Sequence, residues 1–146
     1  MRAVASANDP YDLQRFVKAQ DPVYDEGCAE LRNGQKDSHW MWFVFPQLRG
    51  LGHSQMAVKF GIGSREEAEQ YVKHPILGPR LRECSRLVTL VEGRSINQIL
   101  GSPDDMKFKS SMTLFASVTP YNHAFTAALQ KYFGGELDPL TLERLQ

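Results

Sequence analysis

Apolar positions along the chain recur at helical spacing, and each run opens on a recognisable start signal. After Asp9-Pro10, the residues Leu13, Phe16 and Val17 fall on one face; after Asp21-Pro22, so do Tyr24, Cys28 and Leu31, with Gly34 placed to end the run. Further helices are predicted over residues 65–73, 79–92 and 96–100. In residues 103–117, Phe108, Met112 and Phe115 form one stripe, and residues 121–133 carry Phe125, Ala128, Leu129 and Phe133 before Gly134-Gly135. A last helix starts at Pro139. Asp9-Pro10, Asp21-Pro22, Ser102-Pro103, Asp138-Pro139 and, more weakly, Thr119-Pro120 each set a capping oxygen before a proline, whose missing N–H would be unpaired in a first turn anyway. Ser64 with Glu67 adds a capping box.

The segment from His39 to Phe45 is the ambiguous one. Its aromatic content suits a buried strand, but no second strand is apparent to satisfy its backbone groups. It is therefore expected to be a buried helix ended by Pro46. These elements predict an all-α fold: a single compact multihelical domain of seven or eight short helices over residues 8–146, with residues 1–7 as a flexible N-terminal end.

Composition narrows the classes of function. The 146 residues are 42% hydrophobic and 23% charged, an ordinary globular balance. Lys+Arg and Asp+Glu are equal at 17 each, so the basic excess typical of phosphate-backbone binders is missing and no nucleic-acid partner is expected. No apolar run approaches spanning length and no secretory signal opens the chain, so no membrane association is expected. Cys28 and Cys84 are isolated thiols, which suits a reducing compartment and a cytoplasmic location. The four histidines share no ligand spacing, so neither a metal nor any other cofactor is expected.

Candidate chemistry concentrates in two stretches. In residues 38–47, both tryptophans, Trp40 and Trp42, stand with His39 and Gln47. Indole walls, an imidazole and an amide suit a flat polar ligand, while large aromatics equally suit a core. In residues 104–113, Asp104, Lys107 and Ser111 are spaced i, i+3, i+7 on one helix face, with Ser110 at its border and Thr113 beyond. A lysine beside a serine can serve as base to a nucleophile, although Asp104 can also pair with Lys107 and Ser111 can bond back to its own helix. The glycine pairs Gly50-Leu51-Gly52 and Gly61-Ile62-Gly63 match no phosphate-binding fingerprint and read as tight turns before serine caps.

The same stretches carry a resemblance. Residues 9–16, Ala19-Gln20 with Tyr24, and the whole run of residues 38–47 are similar to a bacterial domain-of-unknown-function family, numbered eighteen-ten. Gly50-Leu51-Gly52, His74-Pro75 with Leu77-Gly78, Ser110 to Phe115, and Tyr132-Phe133-Gly134-Gly135 with Asp138 fit it too. The likeness runs from about Asn8 to the C-terminus. It implies an all-helical fold and no established activity. Some members carry the label calpastatin, whose inhibitory regions are disordered and repetitive, unlike this aromatic and unrepeated chain.

The expectation is thus a pocket for a small polar or anionic metabolite or nucleotide. Trp40 or Trp42 would wall it, and Gln47, Arg49, Ser110 and Thr113 would be polar contacts. If the pocket is catalytic, His39 would be the general acid or base and Lys107 would stabilise developing negative charge beside Ser111. The competing expectation is a protein-interaction module with the aromatic segment exposed as a docking patch and no catalysis.

Overall fold

The computed structural model describes residues 8–146, so the end expected to be flexible at residues 1–7 lies outside the described residues. Ten helices follow one another among the described residues: α1 (Gln14–Gln20), α2 (Tyr24–Arg32), α3 (Met41–Val44), α4 (Gln55–Phe60), α5 (Arg65–Lys73), α6 (Leu77–Leu90), α7 (Ile96–Leu100), α8 (Asp104–Val118), α9 (His123–Phe133) and α10 (Pro139–Leu145). Among the described residues there is no strand, only an isolated parallel bridge between Leu48 and Ile62. No helix among the described residues is long and apolar enough to cross a membrane.

The apolar stripes meet in one hydrophobic cluster built around α8. This helix is buried well beyond the stripe of Phe108, Met112 and Phe115: Lys109, Ser110, Ser111, Thr113, Leu114 and Val118 are buried too. A helix surrounded in this way must be apolar or internally satisfied on every side. It packs on α5, α7, α9 and α10, while α6 bridges α2, α5 and α9. Aromatic rings tie these layers together. Phe16 meets Tyr71 edge-on at 5.0 Å, Tyr71 meets Phe115 at 5.2 Å, and Phe45 meets Phe108 edge-on at 5.0 Å.

Apart from the Ser111 hydroxyl, the buried side-chain polar atoms among the described residues are paired. Gln20 Nε2 donates to the Phe43 carbonyl at 2.6 Å and to Tyr71 Oη at 3.0 Å, and Gln20 Oε1 accepts from Arg80. One amide thereby joins α1, α3, α5 and α6. Burial drives the Tyr71 phenol above its ordinary range, so it stays protonated as a donor.

The helix starts were only partly as the proline pairs suggested. Asp138 caps α10 by accepting from Thr141 N, with Pro139 in the first turn. Ser64 caps α5, though Glu67 turns away from the reciprocal bond, and Ser54 caps α4. Asp9 accepts from the amides of Leu13 and Gln14, closing a turn before α1 rather than starting a helix at Pro10. Asp21 caps nothing; it ends α1 and pairs with Arg80 at 2.8 Å. Ser102 does not cap α8 either, because Gly101 and Pro103 carbonyls already take the amides of Asp105, Met106 and Lys107. Thr119 accepts from Tyr121 N in a turn ahead of α9. A full capping box at Ser95 and Gln98 starts α7, and His74 Nδ1 accepts from Ile76 N and Leu77 N at the head of α6.

The aromatic segment is helical only over Met41–Val44. The residues before it are drawn elsewhere: the amides of Asp37 and Ser38, the Ser38 hydroxyl and the Trp40 indole N–H all donate to the buried carboxylate of Glu30. Trp40, held by that carboxylate, has non-helical backbone angles of φ -133° and ψ 4°, and the helix starts only after it, at Met41.

Candidate functional site

The structure brings some of the expected site residues together and separates others. Trp42, Gln47 and Lys107 line one cavity, where Lys107 Nζ lies 5.6 Å from the Trp42 ring centre. Its volume is only about 10 Å³, the space of roughly one water. Trp40 is 1% exposed and bound to Glu30, so it walls no opening. His39 is exposed on the preceding turn and does not line the cavity that Trp42 and Lys107 share. Lys107 also pairs with Asp104 at 3.8 Å, and Asp104 in turn holds Lys36 at 3.0 Å.

The polar face of α8 serves a neighbouring helix. Ser110 Oγ donates to Asp138 Oδ2, Thr113 Oγ1 accepts from Asp138 N at 2.9 Å, and Asp138 Oδ2 also accepts from Thr141 N and Oγ1. These groups form a closed seam that docks the start of α10 on α8. Ser111 is 0% exposed and its Oγ has no partner, so no substrate in solution reaches it.

A more open arrangement forms where residues 47–49 cross residues 61–63. Ile62 N donates to the Gln47 carbonyl at 2.9 Å, and Arg49 N to the Ile62 carbonyl at 2.8 Å. This short pairing lays Arg49 across the Gly61–Gly63 turn. The chains approach so closely that a Cβ on Gly61 would stand 2.8 Å from both Arg49 Cα and the Ala57 carbonyl oxygen. Gly50 has φ +100°, a left-handed conformation, and a Cβ there would meet Arg144 Nη1 at 2.8 Å. Glycine at these positions therefore admits backbone crossing and a guanidinium, which its reading as a turn residue alone does not convey.

The result is a groove of about 630 Å³ whose lining includes Arg49, Arg65, Arg144, Ser64 and Glu66. Arg49 Nη2 donates to the Gly61 carbonyl and Arg65 Nη1 to the Ser117 carbonyl. Among the described residues, none of the three arginines has a carboxylate within ion-pair distance. The amides of Arg65 and Glu66 likewise have no acceptor there, as first-turn amides of a helix do not. Behind the groove, Glu67 accepts from Gly63 N and from Arg15 Nη2 at 2.8 Å, neutralising Arg15 and fixing the turn. Arg49 also borders a second open hollow shared with Tyr11, Arg15 and Lys59.

Of the residues expected from sequence, only Arg49 lies in this groove. Arg65, Arg144 and the supporting Arg15–Glu67 pair were not anticipated, since their convergence depends on α1, α5 and α10 meeting the 47–63 crossing. The glycine pairs were the one local signal. Among the described residues, no cluster of three or more His, Cys, Asp or Glu side chains is placed to hold a metal ion.

An all-helical domain with a basic groove beside a closed polar seam is the class defined so far. The chain belongs to the family described as protein of unknown function, DUF1810, whose model matches residues 10–145. Among solved structures it is similar to the conserved hypothetical protein Rv1873 from Mycobacterium tuberculosis. The two are 59% identical with a TM-score of 0.93, over 94% of this chain and 98% of that one. No curated protein matches it.

Proposed function

We propose that this is a cytoplasmic, bacterial binding protein for a small anionic metabolite, gripped by its phosphate or carboxylate groups in the Arg49–Arg65–Arg144 groove. One observation carries the reading: three guanidiniums without carboxylate partners line a single cavity at the first turn of a nine-residue helix. Guanidinium forks match the planar oxygens of carboxylates and phosphates, and the helix terminus adds partial positive charge. Two free cysteines suit the cytoplasm. The groove's lining contains no histidine or cysteine, so the reading is of binding without a reaction step. An exposed aromatic docking patch is less favoured, because Trp40 and Phe43 are buried and only Trp42 remains partly accessible.

The test is a panel of inorganic phosphate, nucleoside mono- and diphosphates and citrate, screened by thermal shift and followed by calorimetry on any hit. Stabilisation by at least one anion is expected, with affinity reduced about tenfold in Arg49→Ala and in Arg144→Ala. Absence of saturable binding across the panel, or binding unchanged in both variants, overturns the reading.

A further inference from the structure

Two neighbouring arginines use their donors in opposite ways. Arg15 spends all five guanidinium N–H groups: Nε on the Lys59 carbonyl, Nη1 on the Tyr11 and Asp12 carbonyls, and Nη2 on the Gly61 carbonyl and the Glu67 carboxylate. It thereby clips the turn ahead of α1 to the end of α4. Between those two walls lies the second hollow, of about 720 Å³. Arg49 spends one side-chain bond among the described residues, from Nη2 to the Gly61 carbonyl, and it is the residue that lines both the hollow and the groove. A rigid wall and an uncommitted guanidinium thus meet at the junction of the two spaces.

The wall that Arg15 holds carries a strained residue. Asp12 has φ +52°, the one non-glycine residue with a left-handed backbone among the described residues. Glycine would hold that conformation without steric cost, so an aspartate there points to a use for its side chain. Arg15 takes the Asp12 carbonyl and leaves its carboxylate, which has no cation within ion-pair distance among the described residues. Lys59, on the opposite wall, has its Nζ 5.2 Å from the Phe60 ring centre and likewise no charged partner there. The hollow therefore presents an acceptor and a donor together. Asp12 repels a second anion, and Lys59 with Arg49 repels a cation. A hydroxyl, which both donates and accepts, suits the pair.

We propose that the groove and the hollow form one site for a sugar phosphate, with the phosphate among Arg49, Arg65 and Arg144 and the sugar hydroxyls between Asp12 and Lys59. This inference rests on the anion-binding reading of the groove and adds what the anion is attached to. Arg49, lining both spaces, bonds the phosphate from one side and orients the sugar on the other. Asp12 accepts hydrogen bonds from the hydroxyls, and the Arg15 clip holds that carboxylate in place before the ligand arrives, so little ordering remains to oppose binding.

Calorimetry on the full chain compares inorganic phosphate, n-butyl phosphate, ribose 5-phosphate and adenosine monophosphate. At least one of the two hydroxylated phosphates is expected to bind about tenfold or more tighter than inorganic phosphate and n-butyl phosphate. Asp12→Gly removes the carboxylate and suits the left-handed turn, so the fold is retained. It should abolish that advantage and leave the affinity for inorganic phosphate at the wild-type value. Lys59→Ala should weaken the hydroxylated phosphates alone, whereas Arg49→Ala should weaken all four. Phosphate binding with no gain for the sugar, or a gain that survives Asp12→Gly, overturns this inference and leaves the anion reading standing. Silence from all four overturns it too; citrate bound in that case keeps the anion reading, and silence from citrate as well ends both.

Discussion

The α8–α10 seam and the arginine groove are both rich in polar side chains, yet they are built for opposite ends. In the seam, Ser110, Thr113, Asp138 and Thr141 satisfy one another and hold a short helix in place. In the groove, Arg49, Arg65 and Arg144 keep donors without carboxylate partners next to amides with no acceptor. A buried polar group must be paired within the fold, whereas one facing solvent can hold its bonding capacity for a ligand. The density of polar residues does not separate the two cases. Unused hydrogen-bonding capacity does.

The largest effect that should divide them is on stability. Asp138→Ala removes the α10 cap and the acceptor of two buried or half-buried hydroxyls, so a loss of about 1–3 kcal/mol is expected in urea unfolding. Anion binding in that variant should be unchanged. Arg49→Ala should show the reverse. Its affinity for a bound anion should fall about tenfold, or about 1.4 kcal/mol, while stability stays within about 1 kcal/mol of wild type. If Asp138→Ala abolishes binding as strongly as Arg49→Ala in a folded protein, the two regions are one functional unit and the contrast fails.

Glu30 extends the contrast to a carboxylate whose oxygens are fully engaged. Burial alone would raise its pKa, but bonds from the Ser38 hydroxyl, the Asp37 and Ser38 amides and the Trp40 indole outweigh it and hold the group below the usual glutamate range. The unfolded chain therefore takes up the proton first as pH falls. The stabilisation is complete above the ordinary glutamate pKa and is lost as pH drops through the lower folded value. Unfolding free energies measured from about pH 7 down to about pH 3 should show Glu30→Gln converging on wild type at the acid end. A constant gap at every pH would mean that the carboxylate's charge contributes nothing.

The smallest effect is expected at Ser111, whose buried hydroxyl lacks a partner. Ser111→Ala should leave stability unchanged or raise it by up to about 1 kcal/mol, and should leave anion binding as it was. A marked loss of binding would restore Ser111 to the site.

The all-helical fold was legible because its signals are local. The periodicity of Phe108, Met112 and Phe115 and the cap at Asp138 involve residues within a turn or two of each other, so they mark a helix in the sequence even though packing supplies most of its stability. Family membership was legible for a related reason, as the quoted stretches span most of the chain. Asp21-Pro22 shows the limit of local evidence: the pair has a cap's chemistry, but Arg80, from a distant helix, claims the carboxylate. The cluster of His39, Trp40 and Trp42 was visible as chemistry, and its fate was not. Glu30 draws Trp40 inward, while His39 is left at the surface.

What the sequence determined by itself, then, was the helical class, several helix starts and the family, all of which follow from short-range spacing and capping. Only the tertiary structure decided which polar groups were consumed and which remained available. That outcome depends on pairings between segments far apart in the chain: Arg49 across Gly61, Arg144 over Gly50, Asp138 against α8. No local pattern encodes those meetings, because the partner that satisfies or spares a side chain arrives only when the chain has folded.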